Sequence, residues 1–264
     1  MHLDIVFRSC SRSDQKRYID VPKSELLLGC LNSLMRSAKL AVSHDPRLSI
    51  RLHVLDDHSD PATVERIKAL LRTPLLWRLS QKLARSARFE TVFIPLDDTG
   101  QSASMLLSCD YAKRNCSELI YFVEDDYLHA KSAVEEMLEA RALFSANTGR
   151  DVIISPCDHS VEYRGELIVP TRVVLGSRRH WRAARGTTST YLISRDMLLK
   201  YWGLYTKHAT YPQHPEVCED NTINLIYQIE PCFSPIPSLS AHVSHLDLQP
   251  LYVDWQAWWE QSKV

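Results

Sequence analysis

Through the first half of the chain, short apolar runs alternate with stretches whose apolar residues recur every three or four positions. This pattern predicts strand–helix units on a mostly parallel sheet. Leu3 to Phe7 predicts the first strand. After Pro22, residues Leu27, Leu31, Leu34, Ala38 and Ala41 fall on one helix face. Ile50 to Leu55 predicts a second strand that stops at Asp56-Asp57-His58-Ser59-Asp60. There Asp60 is placed to cap a helix opening at Pro61 and turning Val64, Ile67 and Leu71 inward. Thr91 to Leu96 predicts a third strand, ending in Asp97-Asp98-Thr99-Gly100 ahead of a helix through Met105, Cys109 and Ala112. Leu119 to Val123 is the strongest strand pattern in the chain and ends at Glu124-Asp125-Asp126; a helix around Val134, Met137 and Leu138 follows.

Beyond this point the order of elements is less regular. Strands are expected at Val152 to Ser155, Leu167 to Val169 and Thr190 to Ile193, and the proline-rich stretches His208 to Pro215 and Pro231 to Pro237 read as surface loops. Leu251 to Trp259 is an aromatic-rich helix candidate; core packing is its default role, with a dimer seam or a membrane interface as alternatives. No repeat or linker divides the chain, so residues 1-264 are expected to form one domain.

Composition narrows the function classes. Thirty-one basic and 32 acidic residues leave a net charge of -1, which gives no chain-wide basic face for nucleic acid. Cys10, Cys30, Cys109, Cys116, Cys157, Cys218 and Cys232 show no CxxC pair or zinc-ligand spacing and read as reduced core thiols of a cytoplasmic protein. No stretch approaches the ~20 apolar residues of a membrane span, although peripheral contact with a membrane surface remains compatible.

Three successive strands end in acidic clusters, and the carboxyl ends of parallel strands line the edge where ligands bind. Adjacent carboxylates there repel one another by on the order of a few kcal/mol per close pair at an effective dielectric near ~20. A bound cation relieves that repulsion, and oxygen ligands favour Mg²⁺ or Mn²⁺, whose remaining positions suit a diphosphate.

The order of Asp56-Asp57-His58-Ser59-Asp60, Gly100 opening a helix, and Tyr121-Phe122-Val123-Glu124-Asp125-Asp126 resembles the nucleotide-binding half of GT-A glycosyltransferases, most closely the family 2-like group. The resemblance covers roughly residues 1-145 and implies a nucleotide-sugar-binding half followed by an acceptor-side half, 146-264. It implies that Asp56 or Asp57 contacts the base, that Asp126 binds Mn²⁺ or Mg²⁺, and that Glu124 or Asp125 touches ribose or a metal-bound water. Two positions depart from the family pattern: Glu124 replaces the commoner aspartate, and His58 stands where glycine is usual. Val217-Cys218-Glu219-Asp220-Asn221 resembles the family's E-D motif and opens a helical pattern. It implies Asp220, or alternatively Glu219, as the base that takes the acceptor proton in an inverting transfer.

Further candidates lie elsewhere in the chain. Ser240-Ala241-His242-Val243-Ser244-His245 follows the last strand candidate, where some GT-A enzymes supply a histidine to the metal, so the resemblance implies His242 or His245 as a further metal ligand, His242 slightly preferred. In the run His180 to Ser189, Arg182 or Arg185 is placed to neutralise a diphosphate and Trp181 to stack on a sugar. The implied donor is UDP- or GDP-linked, and the acceptor a saccharide or lipid-linked saccharide. Helix capping by a single acid is the plainer explanation for each acidic site, but it accounts for only one carboxylate of the 124 to 126 cluster.

The nearest rival enzyme, a sugar-1-phosphate nucleotidyltransferase, calls for a glycine-rich basic loop after the first strand. Here that loop is Arg8-Ser9-Cys10-Ser11-Arg12-Ser13, where Arg8 is a candidate nucleotide-sugar contact. A non-catalytic nucleotide- or sugar-binding module is the remaining alternative.

Overall fold

The computed structural model describes residues 1–12, 19–72, 88–97, 100–164, 171–187, 189–211, 215–245 and 248–264. Ser13, Asp98, Thr99, Thr188 and the strand expected at Leu167 to Val169 lie outside the described residues.

The apolar runs of the first half become strands β1 (His2–Ser9), β2 (Ser49–Asp56), β3 (Phe89–Pro95) and β4 (Leu119–Glu124). They lie side by side in the order β3-β2-β1-β4, all parallel. The periodic stretches become α1 (Lys23–His44), α2 (Pro61–Arg72), α3 (Gln101–Asn115) and α4 (Ala133–Thr148). Helix α1 buries Leu27, Leu31, Leu34, Ala38 and Ala41 against the sheet, as their spacing requires. Asp60 caps α2, its Oδ1 accepting from the Thr63 amide at 2.9 Å.

The second half extends the same sheet with shorter strands of mixed direction. In chain order, β5 (Tyr127–His129) leaves the main sheet, and β6 (Ile153–Ile154), β7 (Val173–Leu175), β8 (His180–Ala183) and β9 (Tyr191–Ser194) follow. Helices α5 (Arg195–Lys200), α6 (Trp202–Ala209), α7 (Pro215–Asp220) and α8 (Asn224–Ile229) precede β10 (Cys232–Ile236), β11 (Ser240–His242) and α9 (Trp255–Ser262). The nine-stranded sheet runs β3-β2-β1-β4-β9-β6-β10-β8-β7, and β5 pairs with β11 in a separate ribbon. The result is an α/β fold whose longest strands are parallel and flanked by helices.

Two expectations need correction. Pro231 to Pro237 is not a surface loop, because residues 232 to 236 form β10 inside the sheet. Cys232 accepts from Ala184 of the β8 side, whereas the Phe233 carbonyl accepts from Ser155 at the end of β6. Alternation therefore turns Pro235, like Phe233, toward β6, which ends at Ile154, so its missing N–H breaks no ladder bond. The Glu219-Asp220 motif also closes a short helix, α7, rather than opening one.

The aromatic C-terminus packs on the core. Asp254 caps α9 by accepting from the Ala257 amide at 2.8 Å, and Trp259 is buried against α1. A Cβ at Gly29 would stand 2.4 Å from the Trp259 ring. Gly29→Val is accordingly expected to destabilise the protein by about 1–3 kcal/mol, the usual cost of overpacking. Urea unfolding checks this, and Trp259→Leu in the same chain should recover most of the loss. Among the described residues no helix is long and apolar enough to cross a membrane.

Candidate functional site

The parallel register brings the carboxyl ends of β1, β2 and β4 to one edge, pairing Arg8 with Glu124 and Ser9 with Asp56. Glu124 accepts from the Arg8 guanidinium, whose other amino group donates to Ser104 of α3 at 3.1 Å. Asp125 turns toward the start of α1. Its Oδ1 accepts from Lys23 Nζ at 2.5 Å and its Oδ2 from the Cys10 amide at 2.7 Å.

Asp126 is placed differently. It is 6% exposed, and its Oδ1 has no hydrogen-bond partner. The β5–β11 ribbon begins directly after it and aligns His242 with Tyr127, which sets His242 Nε2 3.5 Å from Asp126 Oδ2. One ligand atom each from Glu124, Asp126 and His242 lies within 4.8 Å of the other two. The His245 ring is 5.2 Å from that of His242, centroid to centroid, and His245 is exposed.

The electrostatics report crowding. Burial, with Asp126, Glu219 and Asp125 nearby, pushes the Glu124 carboxyl up to about 8 against the pull of Arg8. Burial and the neighbouring Asp220 push Glu219 up to about 7, again against Arg8. Burial also works against ionisation of Asp126, but His242, Lys23, the Ser244 hydroxyl and His245 outweigh it and hold Asp126 below the ordinary carboxylate range. Burial drives His242 down to about 4 despite Asp126, so its imidazole is neutral near pH 7 and carries a lone pair. Lys23 stays charged: burial opposes this, and Asp125 and Asp126 override it. Ionised together, Glu124, Asp125, Asp126 and Glu219 would exceed the two cations Arg8 and Lys23 by two charges, which one divalent cation matches; without it, Glu124 and Glu219 hold their protons more tightly.

The donor set fits such an ion. Two carboxylates and one neutral imidazole are suitable ligands for Mn²⁺ or Mg²⁺, and the unpartnered oxygen of Asp126 is the kind of buried group that calls for a positive charge.

The other sequence candidates fall in different places. Asp56 and Asp57 reach the same edge, but their oxygens are engaged within the protein. Asp56 accepts from Ser9 Oγ and the Ser59 amide, and Asp57 from His58 and the Gly100 amide. Gly100 holds φ at +103°, a backbone state that glycine adopts without strain. Trp181 is 1% exposed and sits edge-on to Phe144 in the core, so it offers no face to a sugar. Arg182 is buried in an ion-pair network with Asp158 and Glu162 rather than aimed at a diphosphate. Arg185 is exposed just beyond β8, next to Gly186, which packs near Asn224. Asp220 is exposed and accepts from Asn224, whereas Glu219 is half-buried and close enough to Glu124 to raise its pKa.

Sequence reading missed Lys23, Ser104 and Ser244. Lys23 follows Pro22 at the start of α1, and nothing in that context marks a lysine as the partner of a carboxylate more than a hundred positions away.

Solved structures share this fold. UDP-glucose pyrophosphorylase complexed with UDP-glucose matches with a TM-score of 0.52 at 8% identity, over 99% of this chain and 97% of that one. Its apo form matches with a TM-score of 0.51 at 9% identity over the same shares. TarS 1-349 of S. aureus matches with a TM-score of 0.42 at 17% identity over 76% of this chain, and the chain spans 49% of that structure, about half its length. No protein-family profile and no curated protein sequence matches the chain. At these identities the likeness to the pyrophosphorylase establishes the fold alone.

Proposed function

We propose that the protein is a divalent-metal-dependent glycosyltransferase that moves a monosaccharide from a UDP- or GDP-linked sugar to a hydroxyl of a saccharide or lipid-linked saccharide. The observation that carries this reading is the buried Asp126 oxygen without a hydrogen-bond partner, grouped with Glu124 and neutral His242 at the edge of the sheet. These three residues would hold Mn²⁺ or Mg²⁺, which when bound supplies Lewis-acid stabilisation of a departing diphosphate.

The remaining roles belong to the chain. Lys23 fixes Asp125 and adds positive charge beside Asp126. Arg8, braced between Glu124 and Ser104, places a second cation at the same edge. Exposed Arg185 is available to the diphosphate from the acceptor side. We assign the general base to Glu219 rather than Asp220, a choice supported by its position beside Glu124 and by burial and Asp220 pushing its carboxyl up to about 7, near where a base is most effective. Proton removal from an acceptor hydroxyl by Glu219 during a single displacement inverts the anomeric carbon. The seven cysteines are unpaired, which supports placement in the reducing cytoplasm.

A second reading, nucleotidyl transfer to a sugar phosphate, is raised by the fold shared with UDP-glucose pyrophosphorylase along 99% of the chain. The described residues at the start of the segment after β1 speak against it. The Cys10 amide is spent on Asp125 and the Ser11 amide on Ser59, so neither is open to cradle a triphosphate. Incubation of the protein and Mn²⁺ with UDP- and GDP-sugars separates the readings. Glycosyl transfer or donor hydrolysis releasing UDP or GDP supports the transferase, pyrophosphate-dependent formation of UTP or GTP supports the alternative, and no turnover by folded protein supports a binding module.

A further inference from the structure

A second cluster of metal-ligating side chains lies at the opposite end of β1. Asp4 of β1, His53 of β2 and Cys116, which follows α3, bring a carboxylate oxygen, an imidazole nitrogen and a thiol within 4.8 Å of one another, and all three are buried. Asp4 and Arg8 are four residue steps apart along β1, roughly 13 Å at ~3.3 Å per step, so this group is distinct from the Asp126 cluster.

We propose that Asp4, His53 and Cys116 form a structural site for Zn²⁺, with His2 as the fourth ligand.

The charge balance suits a protein interior: Zn²⁺ with one carboxylate, one thiolate and neutral imidazoles is neutral overall. The outer partners are already in place. His53 Nε2 lies 2.8 Å from Asp4 Oδ1, while its Nδ1 lies 3.0 Å from the Tyr111 hydroxyl. Moving the imidazole proton from Nε2 to Nδ1 frees Nε2 for the metal and turns the Tyr111 contact into an N–H donation, the usual outer-sphere arrangement of a ligating histidine. Asp4 Oδ2 accepts from the Ser117 amide at 2.6 Å, which orients the carboxylate and leaves Oδ1 to coordinate.

His2 Nε2 stands 3.3 Å from that same Oδ1, and its Nδ1 contacts Ser49 Oγ at 2.8 Å. Its side chain is 31% exposed, so the site opens to solvent on that side. Among the described residues no hydrogen-bond partner holds the Cys116 sulfur. On binding, the S–H bond breaks, a Zn–S bond forms and the proton leaves to solvent, with no change of oxidation state. Zinc bonds of about 2.0–2.3 Å set tetrahedral ligands roughly 3.5 Å apart. The widest spacing among Asp4, His53 and Cys116, up to 4.8 Å, therefore closes by about an ångström, the 2.8 Å His53–Asp4 contact opens, and His2, which lies outside that group of three, turns in toward it.

The test uses the full chain, stripped with a chelator and titrated with Co²⁺ and then Zn²⁺. One equivalent of Co²⁺ is expected to give a thiolate-to-cobalt charge-transfer band in the near ultraviolet, displaced by Zn²⁺. That band should persist in Asp126→Ala and Cys10→Ser and vanish in Cys116→Ser, where the Zn²⁺ Kd rises by more than the ~10–100-fold that outer-sphere changes cost. Cys116→Ala repeats the test should the serine variant fail to fold. Absence of the band in folded wild type, its survival in both Cys116 variants, or its loss in Asp126→Ala overturns the proposal.

Discussion

Asp126→Ala is expected to lose nucleotide-sugar turnover while remaining folded. A cation polarising the leaving diphosphate contributes several kcal/mol. At about 1.36 kcal/mol per decade this corresponds to a fall in kcat/KM of at least ~10²–10³-fold. Stability should fall only modestly. The surroundings hold the Asp126 charge below the ordinary carboxylate range, so its removal gives up favourable interactions with His242 and Lys23, while the Lys23–Asp125 pair stays intact and the variant remains folded. Steady-state kinetics across a Mn²⁺ titration, with thermal melts of the same preparations, check both halves. A variant that keeps wild-type activity, or one that simply unfolds, contradicts the assignment.

Glu219→Gln is expected to lower kcat by about 10²–10⁴-fold, the range of general-base catalysis, with KM for the donor little changed. Asp220→Asn should cost less than tenfold, because its carboxylate is exposed and already accepts from Asn224. The pH profile adds a sign. A base works only when deprotonated, and Glu219 is pushed up to about 7, so wild-type kcat should fall as pH drops through that region. The residual activity of Glu219→Gln should not show this limb. If Asp220→Asn carries the large loss instead, the base returns to the neighbouring residue.

The parallel half of the fold was readable from the chain because β1, β2 and β4 are largely buried and appear as short apolar-rich runs, while α1 and α2 show one apolar face. The acidic end of β4 was equally visible, since three adjacent carboxylates at the end of a strand exceed what a helix cap explains, and the pair Asp56-Asp57 marked the end of β2.

What failed depended on contacts distant in sequence. Trp181 and Arg182 read as an aromatic and a cation available to ligand. Strand β8 instead turns Trp181 under Gly176 and hands Arg182 to Asp158 and Glu162, partners no local pattern announces. The prolines of β10 disguised a strand whose missing N–H faces the side where its neighbour has already ended. His242 was a candidate only by analogy, and its place beside Asp126 comes from the β5–β11 pairing. Lys23 escaped notice because a buried cation is defined by its carboxylate partner, and that partner lies on another element.

The most direct test of the central claim is calorimetric titration of UDP and GDP into the protein with and without Mn²⁺. Binding of one nucleoside diphosphate should require the metal, disappear in Asp126→Ala, and raise thermal stability by about 2.7 kcal/mol at a hundredfold excess over Kd. Equal affinity with and without Mn²⁺, or undiminished metal-dependent binding in Asp126→Ala, would contradict a cation held by Glu124, Asp126 and His242.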